Sequence, residues 1–339
     1  MKGESDMKRL AMILMMLILA TTFCCASQAE IVQFPEKPVI GIAWRADTDS
    51  EFFTNVCTAI EAAGGNWVML DQVRSPDLAY TEEGKLTEGV SETGALDEVA
   101  AKYVRCNSWD ESNAAEAVGN VSAVIFTGGE DVSPALYYTP EEWHGIEEER
   151  DYNAERDISD YLTMDYCLDH EIPVMGFCRG MQMLCVLSGA EVVQDIPTWF
   201  EEMGLEYDYT QRNQKATPES YRDYAAHDVY LAEGSIAREI FGMDVLSGCP
   251  SWHHQAVRNV DGTRMDVTGY TEEDGVKIIE IVERRDRTFA IGFQFHPEAA
   301  VVKHLNNAEN KEDFMDYDTA LSPFIWLLQE VSQQQEDAA

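Results

Sequence analysis

The sequence predicts an α/β fold with a mostly parallel central sheet flanked by helices, and three observations predict it. Short apolar runs alternate with stretches of helical period, the pattern of strands joined by crossover helices. The 339 residues are 45% hydrophobic and 25% charged, an ordinary globular balance that excludes a fibrous or disordered chain. No internal repeat or linker divides the chain, so residues 30–339 are expected to form one domain.

Taken in order, Pro38 to Trp44 reads as a first buried strand. Phe52 to Ala63 has helical spacing and stops at Gly64-Gly65. Trp67 to Leu70 is a second strand, and the acidic stretch Asp71 to Glu98 reads as loop plus a short helix. Val121 to Phe126 is a strand running into Thr127-Gly128-Gly129, followed by an acidic segment, Glu141 to Asp151, that looks solvated. Ile158, Tyr161, Leu162, Asp165 and Leu168 share one helical face in part. Pro173 to Phe177 is a strand and Met181 to Leu187 a helix directly after it. Residues 199–226 are aromatic, charged and aperiodic, a surface insertion near the pocket. Val276 to Val282 and Phe289 to Phe295 are strands on either side of an arginine-rich turn, and Phe324 to Val331 belongs to a terminal helix.

The charge balance excludes two classes of partner. Asp and Glu number 62 against 24 Lys and Arg, a net charge of -38 that repels nucleic-acid phosphates and anionic lipid headgroups. At the N-terminus, Lys8 and Arg9 precede an apolar run from Leu10, too short to span a bilayer, and Ser27-Gln28-Ala29 offers a small-x-small cleavage site. Residues 1–29 are therefore expected to be a secretory signal and the mature protein to be exported, periplasmic or extracellular. Cys24 and Cys25 leave a lipid anchor open, although bulky Phe23 argues against it. Past this segment six cysteines remain, Cys57, Cys106, Cys167, Cys178, Cys185 and Cys249, with neither zinc-site spacing nor the density of a disulfide scaffold. Cys178 and Cys185 are seven apart, too far along one helix to bond to each other.

Three segments carry chemistry. Gly176-Phe-Cys178-Arg-Gly180 sits between an apolar strand and a helix, a cysteine version of the nucleophile elbow. The glycines admit the tight turn, the helix N-terminus favours a thiolate, and the Arg179 N–H points where an oxyanion forms. A buried structural cysteine beside glycines is the competing reading. The segment Ile291 to Glu298 delivers His296 at the end of a strand. With Pro297 keeping the chain extended, Glu298 is expected on the same side as His296, to fix its tautomer. Phe126 to Val132 holds Gly128-Gly129 after a strand, and an N–H of either glycine would be a second oxyanion donor.

These segments, in this order, resemble the class I glutamine amidotransferase superfamily, and within it the gamma-glutamyl-gamma-aminobutyrate hydrolase branch. The likeness extends to Glu155-Arg156-Asp157, to Val193 through Ile196, to His227-x-Val229 and to Ser251 through Val257. It implies a flavodoxin-like fold in which Cys178 is the nucleophile, His296 the base and Glu298 the orienting acid. It places the N–H groups of Gly129 and Arg179 in an oxyanion hole and Gln182, His254 and Gln255 against the glutamyl group. The role of Arg156 and Asp157 is open between substrate contact and a helix-end ion pair. The implied reaction is hydrolysis of a gamma-glutamyl amide through a thioester, on a small-molecule substrate, with no metal or cofactor and no nucleic acid. A homodimer stays open. The alternatives are an ammonia-supplying glutaminase domain and a non-catalytic ligand-binding relative. An alpha/beta-hydrolase is disfavoured because there the acid precedes the histidine.

Overall fold

The strands line up as one sheet whose middle brings the three predicted segments side by side. The computed structural model describes residues 38–338 except 108, 141, 216, 218 and 219; the expected signal segment, residues 1–29, lies outside them. The strands are β1 Val39–Ile42, β2 Asn66–Met69, β3 Ala123–Phe126, β4 Val174–Phe177, β5 Glu191–Val193, β6 Ala225–Leu231, β7 Val245–Ser251, β8 Ala256–Asn259, β9 Met265–Glu273, β10 Val276–Arg284 and β11 Ala290–Phe293. The helices are α1 Glu51–Ala62, α2 Glu98–Asn107, α3 Ala114–Val118, α4 Ala154–Asp169, α5 Arg179–Leu187, α6 Ile196–Glu202, α7 Ile236–Phe241, α8 Pro297–Leu305 and α9 Tyr317–Ala338. The main path through the sheet is β2-β1-β3-β4-β11-β10-β9-β6-β7, with β5 and β8 paired to each other beside β10.

The α/β class with helices on both faces holds. Strands β2, β1, β3, β4 and β11 run parallel and are buried between two helical layers, as fully apolar strands such as Ala-Val-Ile-Phe and Val-Met-Gly-Phe require. Alternate side chains feed opposite cores. Ile125, Met175, Phe177 and Phe293 pack with α1, α7, α8 and α9, while Val124, Phe126 and Val174 pack with α2 to α5. "Mostly parallel" describes only this half, because every pairing among β5 to β10, and that of β10 with β11, is antiparallel. Hairpins cause this: β9 and β10 join through the tight Asp274-Gly275 turn, where both residues have positive φ (47° and 79°).

Two further expectations change. Residues 71–97 contain no helix among the described residues, only two isolated bridges, Tyr80 with Leu86 and Val90 with Leu96, and the helix begins at Glu98. The acidic segment before α4 is not purely solvated, since Glu149 is an anchor for two arginines of the 199–226 segment. That segment opens as the end of α6, and its described residues from there to β6 form no helix or strand.

Candidate active site

Strands β3, β4 and β11 are neighbours and parallel, so Gly128-Gly129, Cys178 and His296 emerge together at their carboxyl ends. This is where open parallel sheets place their sites. The elbow has the geometry its glycines predict. Cys178 takes φ 49° and ψ −103°, a conformation an L-residue adopts only when its surroundings impose it, and it precedes the first residue of α5. A Cβ on Gly176 would lie 2.5 Å from the carbonyl carbon of Gly180, and one on Gly180 would lie 2.3 Å from the Phe126 carbonyl oxygen. Only hydrogen at both positions lets the turn close against β3. Cys178 is 6% exposed, and all six described cysteines are free, so it is not locked in a bond to Cys185.

His296 is fully buried beside it. Its Nδ1 donates to Glu298 Oε1 at 2.7 Å, while Nε2, on the far side of the ring, has no hydrogen-bond partner among the described residues. The contact is the predicted one, but the extended-chain reason is wrong. Helix α8 begins at Pro297, with proline at its first position, and Glu298 reaches back from the first turn to the residue that caps it. Burial alone would lower the His296 pKa. The charge of Glu298 and the interaction with Cys178 override it and raise the value to about 10. The ring is therefore an imidazolium through neutral pH, with a proton available on the side facing the thiol. Phe52 at 5.2 Å and Tyr224 at 5.5 Å hold it from two sides.

Gly128 completes this packing, since a Cβ there would fall 2.7 Å from His296 Cε1. The position has no positive φ, so alanine tests packing alone. Gly128→Ala is expected to leave the melting temperature within a few degrees while cutting turnover by about 10²-fold through displacement of the imidazole. Unchanged turnover of Gly128→Ala would place the working base elsewhere.

Two backbone donors border the thiol. As first residue of α5, Arg179 has an N–H without an intrahelical acceptor, and Gly129 N–H has no acceptor among the described residues. Gly129 holds φ 143°, and a Cβ there would strike Arg156 Nη1 at 2.1 Å. Arg156 explains the loop. Its Nη2 donates to the carbonyls of Thr127 (2.9 Å) and Gly128 (3.0 Å), and Nη1 pairs with Glu130. Arg45, from the end of β1, adds a bond to the Gly128 carbonyl at 3.2 Å.

The side chain of Arg179 is as buried as that of Arg156. It pairs with Asp157 at 2.5 Å and with Asp160, both fully buried, and Ser133 donates to Asp157 at 2.5 Å. Arg156 and Asp157 thus contact neither solvent nor the thiol. They clamp the glycine loop and the elbow to α4, a role the sequence left open.

The three expected glutamyl contacts meet at the same end of the sheet in different states. Gln182, one turn along α5, donates to the Gln255 carbonyl (3.5 Å) and to Gln294 Oε1 (3.3 Å). Gln255 is 1% exposed, and neither atom of its amide has a partner among the described residues. A buried amide in that condition is poised for an absent polar group. His254 is committed instead to Asp195 (3.1 Å) and Asp131 (3.0 Å), both acting as acceptors. Burial opposes its charge, but the two carboxylates raise its pKa to about 10. It shapes the wall and has no free nitrogen for a substrate.

His227 and His253, noted in the sequence only as parts of wider motifs, meet in a further cluster whose third member, Glu280, was not singled out. Glu280 lies 3.3 Å from His227 Nε2 and 3.6 Å from His253 Nε2, and His253 Nδ1 bonds the Gln255 carbonyl at 2.8 Å. Burial pushes Glu280 up, but the two histidines bring it down to about 2. Besides those motifs, the alternation of Ala225, His227, Val229 and Leu231 on the inward side of β6 was a signal of burial.

The chain is 25% identical over 194 residues to protein NtpR of Enterococcus hirae, covering 57% of this chain and 72% of that one. It is 27% identical over 266 residues to the CTP synthase of Novosphingobium aromaticivorans, covering 66% of this chain but only 46% of that longer protein. Among solved structures it is similar to the glutaminase domain of Trypanosoma brucei CTPS with bound acivicin, at 14% identity and a TM-score of 0.46, with 87% and 94% of the two chains covered. A glutamine amidotransferase of Thermotoga maritima compares at 16% identity and a TM-score of 0.43, with 87% and 97% covered. Cysteine-dependent amide hydrolysis, of the peptidase or glutaminase kind, is the activity class supported by these sequence relatives together with the family match. A sequence model described as peptidase C26 matches residues 99–298, more than half of the chain and inclusive of the elbow cysteine, the histidine and its glutamate, and the chain belongs to that family.

Proposed function

We propose that the protein hydrolyses a gamma-glutamyl amide bond through a gamma-glutamyl thioester on Cys178. One observation carries the reading: a strained elbow cysteine stands beside a histidine that a buried glutamate holds as imidazolium. Cys178 sulfur attacks the gamma-carbonyl carbon, and the oxyanion is received by the Gly129 and Arg179 N–H groups. As the C–N bond breaks, the His296 proton goes to the departing nitrogen and the amine leaves. Neutral His296 then takes a proton from water, hydroxide adds to the thioester, and glutamate leaves as the C–S bond breaks and the proton returns to the thiol–imidazole pair. Gln182 and Gln255 are the groups that would meet the glutamyl head, and His254 holds the wall behind them. Glutaminase chemistry shares every one of these steps and differs only in that ammonia leaves.

The test is glutamate release from glutamine, gamma-glutamyl-aminobutyrate, gamma-glutamyl dipeptides and a folate polyglutamate, with Cys178→Ala alongside. The expected result is turnover of a gamma-glutamyl amine or peptide above that of glutamine, falling by at least about 10³-fold in the variant. Turnover surviving in Cys178→Ala would end the thiol mechanism, and glutamine as the sole substrate would make the protein a glutaminase. Export, read from Lys8 to Ala29, belongs to the proposal and is tested by the N-terminal residue of the protein recovered from cells.

A further inference from the structure

A cavity of about 570 Å³, of the size that holds small molecules, has His254 in its wall, and most of its lining comes from described residues between Tyr207 and Arg222. In a protein of net charge -38, Arg212, Lys215 and Arg222 line one hollow together with Glu148, Glu149 and Asp195. A single carboxylate, Glu149, serves both guanidiniums, Arg212 at 2.7 Å and Arg222 at 2.8 Å. That leaves unused donors, since Arg212 Nη1 and the Nε atoms of Arg212 and Arg222 are buried without hydrogen-bond partners among the described residues. Buried guanidinium N–H groups without acceptors are costly unless an anion completes them.

The opposite wall is aromatic. Tyr207 and Tyr209 have ring centroids 4.8 Å apart, and Phe200 backs Tyr207 at 5.2 Å. Tyr209 holds φ 57°, a left-handed conformation unfavourable for a tyrosine, and in it the side chain lines the hollow. Two contacts lead from this cavity toward the thiol site. His254, on its wall, is bonded to Asp131, two residues beyond Gly129. Arg222 precedes by two residues Tyr224, whose ring packs on His296 at 5.5 Å. Gln182 and Gln255 border the elbow itself, which leaves this cavity for the other half of the substrate.

We infer that the cavity is the leaving-group subsite and selects an aromatic amino acid with a free α-carboxylate, making gamma-glutamyl aromatic dipeptides the substrate class. The inference rests on the gamma-glutamyl reading above. The α-carboxylate completes Arg212, and the aromatic side chain lies against Tyr207 and Tyr209.

The experiment measures kcat/KM on the full chain for gamma-glutamyl-phenylalanine, gamma-glutamyl-phenethylamine, gamma-glutamyl-alanine and glutamine. Loss of the carboxylate is expected to cost about 10- to 100-fold, the worth of a charge-assisted hydrogen bond to a buried partner. Loss of the ring is expected to cost about tenfold. In Arg212→Gln the phenylalanine-to-phenethylamine ratio falls close to one, and Arg212→Lys restores part of it. Glu149 keeps Arg222 in both variants, and their melting temperatures verify folding. Equal rates on the phenylalanine, phenethylamine and alanine compounds, or a ratio that survives Arg212→Gln, would overturn the subsite while leaving gamma-glutamyl hydrolysis intact. No glutamate from any of the four, glutamine included, would instead remove the gamma-glutamyl reading and the inference with it.

Discussion

Replacing Glu298 by glutamine is expected to lower kcat by about 10⁴-fold, the loss seen when a catalytic histidine loses its orienting carboxylate. The change is nearly isosteric at a fully buried position, so the fold survives it. The carboxylate accepts the Nδ1 proton at 2.7 Å, whereas a glutamine amide can turn its NH₂ to that nitrogen and move the proton to the wrong side of the ring. The pH dependence carries a second signature. With His296 raised to about 10, the acid that serves the leaving amine stays protonated through neutral pH, and kcat/KM declines only as pH rises through that value. In Glu298→Gln the leading upward contribution is gone while burial still pulls down, so the alkaline limb moves to lower pH. An alkaline limb unmoved in the variant would show that His296 is not the titrating acid.

The same shift has a consequence for stability. A histidine whose folded pKa exceeds its unfolded value of 6.5 stabilises the fold fully below that value, and the contribution is lost as pH rises through the folded pKa. His296 and His254 are both raised to about 10, so the melting temperature is expected to decline between 6.5 and 10. A melting temperature that rises over that interval would contradict both assignments.

Arg179→Met is expected to destabilise the protein by about 3–5 kcal/mol, because it leaves Asp157 and Asp160 buried without their shared cation. The loss is one of charge compensation rather than packing, since methionine fills much of the same volume. Adding Asp157→Asn and Asp160→Asn to Arg179→Met should therefore return more than half of it, as read by urea denaturation. A triple variant no more stable than Arg179→Met would mean that the arginine acts through its shape. Since the Arg179 N–H is a backbone group, the triple variant should keep measurable turnover once folded.

How much of this was legible in the residues depended on distance along the chain. Cys178, His296 and Glu298 could be found because each motif is local: glycines two residues on either side of the thiol, a strand ending in the histidine, a carboxylate two residues on. Even there the local geometry misled, because Pro297 opens a helix where an extended link was expected. The roles of Arg156 and Asp157 were illegible because their partners, Thr127 and Arg179, lie 29 and 22 residues away and meet only when β3, β4 and α4 pack. Of the antiparallel wing, β10 was found as the apolar run Val276 to Val282, but β6 to β9 were missed for a different reason. A strand such as β6 carries buried polar groups, among them His227, and alternates with exposed residues, so it lacks the apolar run by which the parallel strands β3 and β4 announce themselves.

The central claim is a covalent one: the glutamyl group resides on Cys178 between two half-reactions. Rapid mixing of the protein with its best gamma-glutamyl substrate, followed by acid quench and mass spectrometry of the intact chain and its peptides, tests it directly. The expected result is a gamma-glutamyl adduct on the peptide containing Cys178, formed at the rate of amine release and lost at the rate of glutamate release. Amine released in a burst with Cys178 unmodified, or an adduct on another residue, would contradict it.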